Sequence, residues 1–434
     1  MQAGLNAGLC EFIKNSPTPF HAVKNLGERL LQAGFLRLEE GNSWELSPAS
    51  SYFVTRNDSS IIAFRTGSGD LISQGFHMLG AHTDSPCLKV KPEAGFVANS
   101  FAQVGVEVYG GVLLNPWFDR DLSLAGRVNY LDDKGQVRNT LIDFSRAIAT
   151  VPSLAIHLDR EANKSRSINE QKYLPPVLMQ VDSKQRKFDF SALLLGKLQD
   201  ELGLADAEQV LSFELSFYDV QPPAIIGLKD EFIASARLDN LLSCYVGMEA
   251  LLACDESSPS LLLCSDNEEV GSVSVAGAAG SFLEAVLERI TECFSDVKKQ
   301  EAKRRLLDHS MFISVDNAHG IHPNFSDRHD QQHGPLLNQG PVLKVNASQR
   351  YASNSETGAR FKAYCKKANV PLQSFVVRSD MACGSTIGPI VSSNLGIKTL
   401  DIGVPTFAMH SIRELAGSKD TQYLLDALSA YLNR

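Results

Sequence analysis

Leu261-Leu262-Leu263-Cys264-Ser265-Asp266-Asn267-Glu268-Glu269-Val270-Gly271-Ser272 is the stretch on which the reading of this chain turns. Its apolar run is too short for a helix and reads as a strand buried on both faces, with acidic residues crowded just past its carboxyl end. The same pattern recurs. Met78-Leu79-Gly80-Ala81 runs into His82-Thr83-Asp84-Ser85-Pro86, and Met311-Phe312-Ile313-Ser314-Val315 runs into Asp316-Asn317-Ala318-His319. Thr399-Leu400-Asp401-Ile402 precedes Phe407-Ala408-Met409-His410-Ser411, and a fifth cluster, Ala236-Arg237-Leu238-Asp239-Asn240, opens a helix-period stretch that continues to about Cys254. Ligand sites of α/β sheets collect at the carboxyl ends of strands, so these distant segments are expected to meet in one crevice.

Working outward, prolines in Ser16-Pro17-Thr18-Pro19 split the first 36 residues into two predicted helices. Further helices are predicted over Gly280–Lys298 and Thr421–Leu432, and strands over Ile61–Phe64 and Ser374–Val377. The charged mixture Asp296–Arg305 reads as an exposed helix end. From about 92 to about 230 short alternating strands, such as Val106–Tyr109 and Leu124–Val128, are punctuated by Gly, Asn and Asp, as in an antiparallel module. The expected architecture is therefore one α/β domain, residues 1–91 plus 231–434, with a central, largely parallel mixed sheet covered by helices on both faces. An inserted β-rich domain, residues 92–230, interrupts it.

Bulk properties narrow the function. The chain has 434 residues, enough for two domains, and a formal net charge of -9, which argues against nucleic acid as partner. No run approaches the roughly 18 apolar residues of a membrane-spanning helix. Glu11 and Lys14 break up any signal-peptide core. None of the eight cysteines lies in a CxxC pair, and several sit in apolar runs, which suits buried free thiols in a reducing, cytoplasmic compartment.

The clustered residues have the chemistry of a metal centre. His82 offers an imidazole to a metal, and Asp84, two residues on, is placed to hold the other ring nitrogen. Glu268 and Glu269 are adjacent and point different ways, so one can ligate while the other stays free as a base. Two carboxylates brought together inside a protein are costly without a cation. Asp239 is suited to bridging two ions, with Asp316 and His410 completing the shells. A mixed His/Asp/Glu set suits zinc, with manganese or cobalt as alternatives. Each residue singly also has a structural reading: His82 as a core histidine, Asp239 as a helix cap, Asp316-Asn317 as turn formers and the glutamates as surface. HExxH, GxSxG and GxxxxGK[ST] are absent. His329 and His333 stand four apart, but flanking Pro, Asn and Gly favour a structural or interface loop.

Nearly end to end, the chain resembles the aspartyl aminopeptidase family of two-zinc peptidases. The carriers are SPTPFHAV (16–23), GAHTDSPCLKVKP (80–92), VEVYGG (106–111), WFDRDLSLAGRV (117–128), LAIHLDR (154–160), ELSFYD (214–219), ARLDN (236–240), DNEEVGS (266–272), VDNAHGIHPN (315–324), KVNASQRYASNS (344–355), RSDMACGSTIGPI (378–390) and MHSIRE (409–414). The resemblance implies two zinc ions per subunit held by His82, Asp239, Glu269, Asp316 and His410, with Asp239 bridging, Glu268 as general base and Asp84 orienting His82. It further implies that His157 reaches a neighbouring subunit's site, and that His319, Lys344, Tyr351 and Met381 line the substrate pocket. A His flanked by Ile and Leu would otherwise be read as a core residue. Lys344 is the implied partner of an N-terminal Asp or Glu side chain. The implied fold is a zinc-peptidase domain with an inserted dimerisation domain, assembled as a dodecamer built from dimers. Asn267 stands where relatives often have His. The expected activity is removal of N-terminal residues from small peptides. The competing readings are a self-assembling cargo or scaffold protein, and a deacylase or carboxypeptidase on the same scaffold.

Overall fold

The computed structural model describes residues 2–295 and 299–433. A nine-stranded mixed sheet dominates one unit, in the order 36–38, 51–56, 60–65, 260–265, 77–82, 311–315, 398–403, 342–344, 373–375. Its four central strands, from Ser260–Ser265 to Lys398–Gly403, run parallel. The apolar runs behave as a period-2 chain must when both faces are covered. Leu262 and Cys264 face the same core as Leu79, Ala81, Ile313 and Val315, which is closed by helices Gln2–Lys14, Pro19–Gln32, Leu238–Leu252 and Asp420–Leu432. Leu261, Leu263, Met78 and Phe312 face the opposite core with helices Phe282–Phe294, Lys299–His309 and Ile387–Leu395. The expected α/β sheet with helices on both faces is thus what forms.

A small second sheet in this unit, ordered 224–226, 232–235, 414–417, 405–407, 318–319, was not visible in the sequence, because its strands are two to four residues long. Helix Lys299–His309 corrects the reading of the charged run as a mere helix end. Ala302, Leu306 and Leu307 are buried, and Lys303 pairs with Glu284 and Glu288 of the preceding helix. That helix ends at Phe294, short of the expected Lys298. Asp296–Lys298, part of both expectations, lie outside the described residues.

The second unit is a six-stranded, all-antiparallel sheet, in the order 137–143, 122–132, 207–219, 87–98, 101–109, 177–180. Its own core includes Trp117, Leu124, Val128 and Phe217. The boundaries differ from the expected 92–230. The first unit comprises Met1–Ser85, Pro223–Met409 and Glu414–Arg434, and the second Pro86–Pro222 with His410–Arg413. The insertion begins earlier because Cys87–Ala98 is one strand of the antiparallel sheet, and ends earlier because Ala224–Ile226 pairs with Phe232–Ser235. All eight cysteines are free thiols, four of them buried, while Cys293 is exposed rather than buried.

Candidate metal centre

Three adjacent parallel strands deliver the centre, as strand-end placement requires. His82 ends its strand, Asp316 follows Val315, and Glu268 with Glu269 follows Ser265. His82 Nε2 lies 3.4 Å from Asp239 Oδ1 and 3.5 Å from Asp316 Oδ1. Donor atoms of His82, Asp239 and Asp316 all lie within 4.8 Å of one another, and so do those of His82, Glu268 and Glu269.

Asp239 does not cap its helix. The chain enters through Arg237 at φ 58°, and Asp239 and Asn240 have non-helical dihedrals with a cis peptide between them. Three contacts hold this turn. The Asp239 amide donates to Glu414 Oε2 (2.9 Å), Ser85 Oγ donates to the Asp239 carbonyl (2.6 Å), and Asn240 Nδ2 donates to the Val315 carbonyl (2.8 Å). Ser85, Asn240 and Glu414 escaped the sequence reading, since nothing local marks a contact across 154 or 175 residues.

Asp84 does more than was expected of it. His82 Nδ1 is 3.0 Å from the Asp84 backbone carbonyl and 3.4 Å from its Oδ1. The Asp84 carboxylate meanwhile accepts the amides of Glu268 and Glu269, each at 3.1 Å. Those amides are exposed to it because Glu268–Val270 is a single 3₁₀ turn, entered through Asn267 at φ 63° and left through Gly271 at φ 95°.

Electrostatics call for a cation. Five carboxylates, Asp84, Asp239, Glu268, Glu269 and Asp316, crowd the surroundings of the His82 imidazole, with Lys344 Nζ 3.3 Å from Asp316 Oδ2. Burial opposes a charged His82, yet its contacts with Asp239, Asp316 and Asp84 prevail and raise its pKa well above the ordinary histidine value. Burial also lifts the Glu268 carboxyl to about 7, helped by Asp316, Asp84 and Asp239 against the opposing pull of His82. Nitrogen and oxygen donors in this number and proximity fit zinc.

A family profile described as "Aminopeptidase I zinc metalloprotease (M18)" matches residues 12–432. The chain belongs to the M18 family of zinc aminopeptidases. It is 56% identical over 431 residues to a "Probable M18 family aminopeptidase 2" of Pseudomonas savastanoi pv. phaseolicola, covering 99% of this chain and 98% of the relative. The solved Ape4–Nbr1 complex contains a chain 39% identical, with a TM-score of 0.95 over 99% of this chain and 86% of that one. The S. cerevisiae mApe1 dodecamer contains one 26% identical, with a TM-score of 0.84 over 98% and 95%.

This M18 chain also has a cavity of about 270 Å³ in its first unit, lined by His319, Tyr351, Phe375, Met381 and Cys383 among others. Three of the four expected pocket residues are there. Lys344 is not among the lining residues: it is buried, its ammonium 5.4 Å from the Tyr351 ring centroid and hydrogen-bonded to Asp316. His329 and His322 line the cavity too, the His322 amide donating to His329 Nε2 at 3.4 Å. The 329–333 segment is the expected loop, with His333 Nδ1 2.6 Å from Asp330 Oδ1.

Two expected site residues fall in the second unit. His410, at φ 68°, has Nδ1 3.0 Å from the Gly111 carbonyl. His157 lies in an exposed turn between Ile156 and Leu158, which are themselves exposed, contrary to a core reading of that apolar flank.

Proposed function

We propose that this metallo-aminopeptidase cleaves the first peptide bond of short peptides, with a preference for N-terminal Asp or Glu, at a centre of two zinc ions. His82, Asp239, Glu269, Asp316 and His410 are the proposed ligands, with Asp239 shared. The observation that carries the reading is the convergence of His82, Asp316, Glu268 and Glu269, from the carboxyl ends of neighbouring strands, on Asp239 at the start of helix Leu238–Leu252. When bound, zinc supplies Lewis acidity for the peptide carbonyl and for water, with manganese or cobalt as alternative occupants.

The rest is the work of this chain's own groups. Asp84 holds the Glu268–Glu269 turn by its two amides and faces His82 with its carbonyl, so the base and the ligands are positioned together. Glu268, with its carboxyl near 7, is matched to taking a proton from water and returning it to the leaving amine. His319, Tyr351 and Met381 line the cavity for the N-terminal side chain. Lys344 is the proposed reader of an acidic one, its ammonium shared with Asp316. His157, exposed in its turn, is proposed to act on the site of a second copy. A dodecamer built from dimers of the inserted unit is proposed by likeness to the mApe1 assembly. Eight free thiols and the absence, among the described residues, of a helix able to cross a membrane support a cytoplasmic setting.

Asp-, Glu-, Leu- and Lys-para-nitroanilides, free and N-blocked, test the reading together with metal analysis. Cleavage of the free acidic substrates and about two zinc ions per chain are expected. Cleavage of blocked substrates overturns the exo-mode. In Lys344→Ala the loss should be larger on Asp and Glu than on Leu, and equal losses remove Lys344 as the acid reader.

A further inference from the structure

Asp401 takes no part in the chemistry above, yet it is completely buried in the strand Lys398–Gly403. Its Oδ2 accepts the Ala352 amide at 2.6 Å and its Oδ1 the Thr386 hydroxyl at 2.5 Å. Its own amide donates to Ser353 Oγ at 2.9 Å. These donors and this acceptor come from two segments that wall the cavity. Ala352 and Ser353 follow Tyr351, and Thr386 follows the lining run Met381–Gly384. Tyr351 of one wall and Cys383 of the other both line the cavity, and the thiol acts electrostatically on the phenol.

The fit around the carboxylate is close. A Cβ on Gly388 would stand 2.3 Å from Asp401 Oδ1, so glycine there is what admits the carboxyl group. The Thr386 oxygen accepts the Gly388 amide at 3.3 Å, which ties the same contact to the first turn of helix Ile387–Leu395. The Lys344 ammonium acts on Asp401 as well as on Asp316. Burying a carboxylate is costly, and an apolar residue would fill this space at less expense if packing were the whole requirement.

We propose that Asp401 is a positioning residue for substrate: it sets the gap between the Tyr351 wall and the Met381–Gly384 wall without touching the substrate. The inference rests on the cavity being the pocket for the N-terminal side chain. It differs from the general role of a core residue in what it controls, which is the ground-state fit of substrate rather than the metal or the base.

The test uses the zinc-loaded full-length enzyme. Thr386→Val replaces the hydroxyl donor with a methyl group, whereas Thr386→Ser keeps the donor. Thr386→Val should raise KM for Asp-, Glu- and Leu-para-nitroanilide about tenfold with kcat within about twofold and zinc content unchanged, and Thr386→Ser should restore the wild-type KM. Asp401→Asn should shift KM in the same direction if it folds, and the threonine pair carries the test if it does not. An unchanged KM in Thr386→Val, a failure of serine to rescue, or a loss confined to kcat and zinc content overturns the proposal. Met381→Trp separates the two readings. It should raise KM wherever the cavity takes substrate, so an unchanged KM there overturns the pocket assignment itself.

Discussion

Asp84 ties the centre together at the scale of single residues. Its carboxylate fixes two amides of the glutamate turn while its carbonyl faces His82 Nδ1. Glu268 is then held by its backbone amide, which leaves the carboxylate available for the proposed role of base. Glu268→Gln keeps shape and volume but cannot take a proton. It should retain metal and fold while losing at least about a hundredfold in kcat, about 3 kcal/mol or more of transition-state stabilisation. Steady-state kinetics beside metal analysis check this, and near-wild-type turnover would remove Glu268 from the mechanism.

Individual elements are placed by contacts with little slack. The strand Lys398–Gly403 passes so close to the neighbouring strand end that a Cβ on Gly403 would stand 1.7 Å from the Asp316 carbonyl oxygen. Gly403→Ala must push away the backbone that carries a proposed ligand. A cost of about 3 kcal/mol in denaturant unfolding is expected, with zinc retention falling alongside. The last helix has a titrating anchor: Asp420 accepts the amides of Asn338 (2.6 Å) and Gly340 (2.9 Å). Burial raises its carboxyl to about 7 against the pull of those two amides. A carboxyl raised on folding stabilises the native state below the unfolded value of about 4, and that contribution is lost as pH rises through the folded value. Thermal unfolding of Asp420→Asn should therefore fall less than wild type between about pH 4 and 7, and parallel curves would show that Asp420 does not titrate there.

For the whole molecule, the exposed turn carrying His157 between Ile156 and Leu158 is a surface that the single chain leaves uncovered. If His157 serves a neighbour's site, mixing inactive Glu268→Gln and His157→Ala chains under conditions that exchange subunits should recover part of the wild-type activity. Co-assembly can place an intact base and an intact histidine at the same site. Activity no greater than the sum of the separate variants, with mixed assemblies shown by native mass spectrometry, would confine His157 to its own chain.

How far the sequence carries can be seen in particular residues. Leu261–Cys264 and Met311–Val315 were legible as doubly buried strands because burial on both faces leaves no polar position to confuse the pattern. From such strands the acidic and imidazole residues at their ends could be expected to share a crevice. The short sheet that includes Glu414–Gly417 was illegible, since strands of two to four residues carry no periodicity. Sequence by itself thus determined the layered α/β class, the β-rich insertion and which side chains are candidates for the chemistry. Only tertiary structure decided that Glu414 and Ser85 hold Asp239, that Asp84 cradles the glutamate turn, that Lys344 lies on Asp316, and where the two units divide. Those contacts join residues far apart in the chain, and their geometry depends on strand register and backbone turns that no local pattern encodes.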